Sequence, residues 1–207
     1  MGQDTIGLPL VLTPNNSRSP GRVSISIAPG RQDGRYHHNL REDLNTIFEA
    51  GFETIVCLQE WKEFTELNTT FYPMIAQTEF GFKFLHFPII DRKISSLVQR
   101  PLGANQEFQR NSLDNTLPLL INLINLLNTG QSIFMHCKGG LGRSGTIAAC
   151  LAIYYGISYE NVIKFIRVNR PGAIQTQSQK NLIESFDYFF KSGKFQQMID
   201  LSTKTLL

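Results

Sequence analysis

The sequence predicts a single α/β layered domain in which a central, largely parallel sheet is flanked by helices, and three observations carry that reading. Apolar or alternating runs at residues 23–27, 54–58, 83–87 and 132–136 alternate with segments whose apolar residues recur at helical spacing. The chain has 207 residues, which at ~100 to 200 residues per domain favours one domain with a modest extension. Its 42% apolar and 18% charged residues are those of an ordinary globular protein and exclude a wholly disordered chain, a fibre and a disulfide scaffold.

Residues 1–21 include Thr13, Pro14, Asn15, Asn16, Ser17, Pro20 and Gly21, a run of turn formers expected as a flexible lead-in. The domain proper is expected over residues 22–190, with 191–207 as a C-terminal extension. Val23 to Ile27 alternates apolar and polar side chains, as a half-buried strand does. Leu40 to Ala50 sets Leu40, Leu44, Ile47 and Phe48 on one side of a helix that Gly51 stops. Thr54 to Leu58 reads as a buried strand, residues 71–79 as a helix and Lys83 to Phe87 as a short strand. Residues 92–111, with Pro101 and Gly103, read as irregular. Leu113 to Leu127 has helical spacing, and Pro118 must kink that helix or lie near its start. Ser132 to His136 is another buried strand, and helices over 146–155, 158–168 (capped by Ser158) and 179–190 follow.

Three cysteines, Cys57, Cys137 and Cys150, are too few and too scattered for a disulfide framework or a zinc site. A reducing, cytoplasmic compartment is expected, with no metal or other cofactor. No stretch approaches ~18 uncharged apolar residues, no secretory leader is read, and Ile6 stands where a myristoylation signal has Ser or Thr. No stable membrane association is therefore expected. The net charge of +3 hides an asymmetry: residues 1–80 hold 6 Lys/Arg against 10 Asp/Glu, and residues 81–207 hold 14 against 7. The later portion should attract anions. Nucleic acid is not the expected anion, because no basic run is interleaved with aromatics and no zinc-finger spacing occurs.

The decisive segment is His136-Cys137-Lys138-Gly139-Gly140-Leu141-Gly142-Arg143-Ser144-Gly145-Thr146, in which a cysteine leaves a buried strand and a glycine-rich loop leads into a helix. Glycines let successive backbone N–H groups point inward, and the helix N-terminus adds unpaired donors and the positive end of its dipole. Lys138, Gly139, Gly140, Leu141 and Gly142 are thus expected to cradle an anion. The same field favours a thiolate, and hence a nucleophile, at Cys137. Arg143, six positions after the cysteine, brings a planar fork suited to two phosphoryl oxygens. Ser144 can donate its hydroxyl to the sulfur and ease its departure in a second step, and the His136 ring can orient the loop by hydrogen bonding. Lys138 lies either in solvent or against an acidic substrate. Cys57 and Cys150, in a strand and an apolar helix, are expected in the core.

These residues resemble the signature of the protein tyrosine phosphatase superfamily, a cysteine followed by five residues and an arginine, and Lys138 and Ser144 resemble its dual-specificity branch. Arg170-Pro171-Gly172-Ala173-Ile174-Gln175-Thr176 with Gln179, and Phe87-Pro88-Ile89-Ile90-Asp91, are similar to segments of the cyclin-dependent-kinase-associated phosphatases. The resemblance implies the cysteine-based phosphatase fold over about residues 22–190. It implies metal-free, two-step chemistry: the cysteine takes the phosphoryl group, an aspartic acid protonates the leaving oxygen, and water hydrolyses the thiophosphate. It makes Asp91, 46 residues before Cys137, the candidate acid, on a loop suited to a movable lid, with Asp114 the next aspartate in sequence. Gln179, or else Gln175, resembles the glutamine that positions the hydrolytic water, and both also fit as polar residues at a helix N-terminus. Arg92 and Lys93 lie in solvent or on the rim of the site.

The expected activity is hydrolysis of phosphomonoesters on phosphoproteins, at phosphotyrosine and, in a shallow pocket, at phosphoserine and phosphothreonine. A kinase is among the candidate protein partners. A phosphoinositide phosphatase and a phosphate-binding module without catalysis remain as alternatives. The lipid alternative is weakened by Leu141, which stands where the lipid phosphatases that resemble this family carry a second basic residue. A sulfur-transferring enzyme of the rhodanese type also uses a loop cysteine, but the loop length and the Arg143-Ser144-Gly145-Thr146 continuation argue against it.

Overall fold

The computed structural model describes residues 6–13, 21–90 and 106–204, without the side chains of 106–115 and 202–204. Strands β1 (Leu10–Leu12), β2 (Val23–Ser26), β5 (Thr54–Cys57), β6 (Lys83–His86) and β7 (Ile133–His136) form one sheet in the order β1-β2-β7-β5-β6. β3 (Gln32–Asp33) and β4 (Tyr36–His37) make a separate hairpin. β2, β7, β5 and β6 run parallel, and β1 is antiparallel to β2.

Side chains alternate across the sheet, so each strand feeds two cores. Ile55, Cys57 and Phe134 are buried against α1 (Leu40–Glu49), α2 (Trp61–Glu66) and α3 (Tyr72–Thr78). Ile25, Val56, Ile133 and Met135 are buried on the other face, under α4 (Gln106–Asn128), α5 (Arg143–Tyr154), α6 (Tyr159–Asn169), α7 (Gln177–Lys191) and α8 (Lys194–Lys204). This is the layered, largely parallel architecture expected from the alternating runs.

The cap chemistry accounts for several boundaries. The Asn39 side chain accepts from the Arg41 and Glu42 N–H groups at the start of α1, and Gly51, at φ +74°, turns the chain out of it. Thr176 and Gln179 form a reciprocal capping box that starts α7 at Gln177, two residues before the expected Gln179. Ser158 occupies the N-cap of α6, though its side chain accepts from Asn161 Nδ2 rather than from a helix N–H.

Three expectations are corrected, and one element was missed. Residues 106–111 are helical rather than irregular, and Pro118 lies well inside α4, where its missing N–H removes one internal hydrogen bond without ending the helix. Within the expected lead-in, Leu10–Leu12 pairs with β2, because Val11 and Leu12 bury their side chains in the core. The β3–β4 hairpin was not legible, its strands being two residues each. Finally, α5 begins at Arg143 rather than Thr146, so Arg143 and Ser144 belong to the first turn of a helix whose residues are buried as far as Ile153.

That placement builds the site. β7 lies between β2 and β5, with His136 opposite both Ser26 and Cys57. The chain leaving β7 therefore enters the crevice at the carboxyl ends of the parallel strands, where α/β sheets bind ligands.

Candidate active site

Cys137 is the first residue beyond β7 and is 3% exposed. Its Sγ lies 3.6 Å from Ser144 Oγ in the first turn of α5. Between them the loop turns every carbonyl outward onto a donor. Lys138 O accepts from Arg31 Nη1 at 3.1 Å and from Ala28 N at 3.4 Å. Gly139 O and Gly140 O accept from Arg170 Nη2 and Nε at 3.2 and 3.0 Å. Leu141 O accepts from Ile174 N at 3.1 Å, and Gly142 O from Thr146 N and Oγ1 at 3.0 and 2.9 Å. In a planar trans peptide the N–H points opposite to the C=O, so the N–H groups of Gly139 to Arg143 face the inside of the turn. The inside of the turn is thus lined by backbone donors.

Two glycines explain its shape. Gly140, at φ +64°, passes so close to Ser26 that a β-carbon would overlap the Ser26 carbonyl. A β-carbon on Gly142 would stand 2.5 Å from Gln179 Nε2 and 3.3 Å from Gln175 Oε1, so both glutamine side chains lie against the loop. Gln179 also serves its helix: its Oε1 accepts from Gln175 N at 2.6 Å and from Thr176 N at 3.1 Å. The capping role and the placement at the loop are thus both realised in one side chain, whose amide nitrogen is the end nearest the cradle.

Arg143 is 1% exposed, and its Nη1 and Nη2 each donate to Glu63 at 2.7 Å. Nη1 also donates to Leu58 O at 3.2 Å and Ile89 O at 3.0 Å. Glu63 is the third residue of α2, where the same carboxylate accepts from the Glu60 N–H at 2.8 Å. A capping box thereby aims the acid at the arginine. Sequence reasoning missed Glu63, whose only signal was its place three residues after Glu60.

His136 Nε2 lies 3.0 Å from the Tyr72 hydroxyl on α3. Burial pushes the ring down to about 3, with the charges of Arg143 and His86 adding to the effect, so the imidazole is neutral near pH 7. The histidine that precedes the loop is thus tied to the helix layer. Lys138 keeps its backbone in the cradle, but its ammonium pairs with Glu66 at 2.7 Å. Cys57 and Cys150 are fully interior, and burial pushes the Cys57 thiol up to about 12 and the Cys150 thiol up as well. Neither is a nucleophile near neutrality, which matches their expected core role.

Asp91, Arg92 and Lys93 lie outside the described residues, as does the side chain of Asp114. Among the described residues no group of three or more His, Cys, Asp or Glu is placed to hold a metal ion, and no helix is long and apolar enough to cross a membrane.

A family described as the Swiss Army Knife protein, DSP-PTPase phosphatase domain, matches residues 21–183. Dual specificity protein phosphatase CDC14A of Homo sapiens is 39% identical over 72 residues, which cover 34% of this chain and 12% of that protein. The chain therefore spans a small part of that relative's length. A solved kinase associated phosphatase, its catalytic-site cysteine replaced by serine, superposes with a TM-score of 0.72 at 24% identity, covering 89% of this chain and 96% of that one. PTPMT1 in complex with PI(5)P superposes with a TM-score of 0.57 at 19% identity, covering 82% and 92%. Both likenesses are likenesses of fold.

Proposed function

The chain belongs to the dual-specificity protein tyrosine phosphatase family, and we propose that it hydrolyses phosphomonoesters on phosphoproteins, at phosphotyrosine and at phosphoserine or phosphothreonine, through a cysteinyl-phosphate intermediate. The observation that carries this reading is the loop: the carbonyls of Lys138 to Gly142 are all held by donors outside the turn, which leaves its N–H groups and the first turn of α5 free to receive one tetrahedral anion above Cys137.

In the first step Cys137 Sγ attacks phosphorus. The S–P bond forms as the P–O bond to the leaving group breaks, and Asp91 gives the departing oxygen its proton. The inward N–H groups and the Arg143 guanidinium carry the charge on the three equatorial oxygens. In the second step water, oriented by the Gln179 amide beside Gly142, attacks the phosphocysteine and gives a proton to the Asp91 carboxylate. The S–P bond breaks, and Ser144 Oγ stabilises the departing thiolate from 3.6 Å.

A phosphoprotein is the favoured substrate because cations at the loop are already partnered: Lys138 with Glu66 and Arg31 with Asp33. A polyphosphorylated inositol ring presents several anions and gains less from such a mouth. The lipid reading is supported by the basic excess of residues 81–207 and by PTPMT1, a protein of this fold solved with PI(5)P. Catalytic efficiency on matched phosphopeptides and short-chain phosphoinositides separates the two.

The chemistry is tested with para-nitrophenyl phosphate. The expected outcome is hydrolysis that resists EDTA, is blocked by vanadate and is lost in Cys137→Ser with the fold intact. Substantial activity in the folded serine variant overturns the covalent mechanism, and a parent chain that folds but does not turn over supports the phosphate-binding alternative.

A further inference from the structure

The segment of the loop with the most backbone freedom is Gly139-Gly140, and there two successive carbonyls point the same way, out of the cradle. Parallel carbonyl dipoles repel, and with no donor outside they relax by rotating an oxygen inward, toward the place of the phosphoryl oxygens. One side chain meets both. Arg170, at the C-cap of α6, donates from Nη2 to Gly139 O at 3.2 Å and from Nε to Gly140 O at 3.0 Å. A guanidinium is the one side chain that offers two parallel N–H groups in a fixed plane. Arg170 itself is held close by its neighbourhood: Arg167, one turn earlier in α6, donates from Nε and Nη2 to Ala173 O and Ile174 O at 2.8 Å, fixing the turn that follows it. Ile174 adopts φ +60°, rare for a β-branched residue, and its N–H holds the next carbonyl, Leu141 O. Burial works against the charge on Arg170, and negative charge at Cys137 works for it.

Resting on the phosphatase reading above, we propose that Arg170 is a positioning residue of the reaction: its guanidinium clamps the Gly139 and Gly140 carbonyls outward and so keeps the loop N–H groups aimed at the phosphoryl group. The clamp acts on the anion through the loop rather than by touching it. Arg31 makes a useful contrast, because Lys138 O has a second donor in Ala28 N and depends on Arg31 less.

The test uses the full chain and tungstate, a tetrahedral oxyanion, with affinity read by calorimetry, kcat and KM read on para-nitrophenyl phosphate, and folding read by circular dichroism. Two hydrogen bonds from a charged donor predict that Arg170→Ala weakens tungstate binding by about tenfold to hundredfold, with kcat/KM falling at least as far. Arg170→Lys keeps a charge but meets one carbonyl at a time, so it falls between the parent and the alanine variant. Arg31→Ala gives a smaller loss than Arg170→Ala. A purely structural arginine lowers the melting temperature yet leaves the folded variant with tungstate affinity and kcat/KM within about twofold of the parent, the scatter of uncoupled substitutions, and that result overturns the proposal. If the alanine variant does not fold, the lysine variant decides by the same twofold margin. A parent chain that binds no tungstate fails the phosphatase reading itself, and the clamp with it.

Discussion

The Glu63 carboxylate holds the Arg143 guanidinium by two bonds of 2.7 Å across 80 residues of chain, and both side chains are almost wholly buried. Burial works to raise the Glu63 pKa, but the Arg143 bonds and the Glu60 N–H outweigh it and hold the carboxyl below its ordinary value. The pair fixes the guanidinium plane relative to the loop before any substrate arrives. Pre-organisation of this kind matters most for a charge that must meet a transition state.

Glu63→Gln keeps the volume and leaves the arginine charge buried without its counter-ion. Breaking a buried pair by removing one partner costs about 3–5 kcal/mol, and the bonds from Arg143 to Leu58 O and Ile89 O place this case toward the lower end. At ~2–4 °C per kcal/mol for a chain of this size, thermal denaturation should fall by about 6–12 °C. Activity on para-nitrophenyl phosphate should fall with it at temperatures where the variant is folded. An unchanged melting temperature with unchanged activity would remove Glu63 from both roles.

Acid should unfold the protein in two stages. His136 is lowered to about 3 by burial, against 6.5 in the unfolded chain, so below pH 6.5 the unfolded state binds a proton that the folded state refuses. Its stabilising contribution is present above pH 6.5 and is lost as pH falls toward about 3, by at most about 1.4 kcal/mol per pH unit. Glu63, depressed below 4.5, adds its loss only below that pH. Urea melts should show stability falling between pH 6.5 and 5 in the parent and a flatter profile in His136→Gln; parallel profiles would show that another group titrates there.

The candidate catalytic segment was legible because its chemistry is local: strand, cysteine, glycines, arginine and helix follow one another over eleven residues. The parallel strands were legible for a similar reason, each being a short apolar or alternating run. Glu63 and Arg170 were not, since what they do depends on partners 80 and 30 residues away, and nothing in a single sequence marks a surface-helix glutamate as the seat of a buried arginine. The early start of α5 was hidden by Gly145, a poor helix former in isolation. The glycine fits because Ala173 and Ile174 pack where its β-carbon would be, a tertiary contact that overrides propensity. Asp91 rests on resemblance, because it lies outside the described residues.

Gly142→Ala tests Gln179 without touching it. Gly142 has φ −75°, open to any residue, and the added β-carbon meets the far ends of two side chains, overlapping that of Gln179 and coming within 3.3 Å of that of Gln175, so the fold should tolerate it. Displacing that amide by about 1 Å should slow phosphocysteine hydrolysis by about 10²-fold while leaving formation of the intermediate faster. The signature is a burst of para-nitrophenol followed by slow turnover. A uniform drop in both phases would place the damage in the cradle instead of the water.

Glu66→Ala asks what Lys138 does when its partner is gone. The pair is partly exposed, so its loss should change stability by less than ~1 kcal/mol. The freed ammonium, carried by the residue that follows Cys137, then adds one positive charge at the mouth. A second phosphate on a substrate would sit close enough to feel it, whereas the single phosphate of a phosphopeptide is already held by the loop. Relative efficiency on short-chain phosphoinositides should therefore rise about threefold to tenfold over phosphopeptides, and the gain should shrink in high salt as the interaction is screened. An equal change on both substrates would mean that Lys138 already contacts the primary phosphate in spite of Glu66, which is the other role its place in the cradle permits.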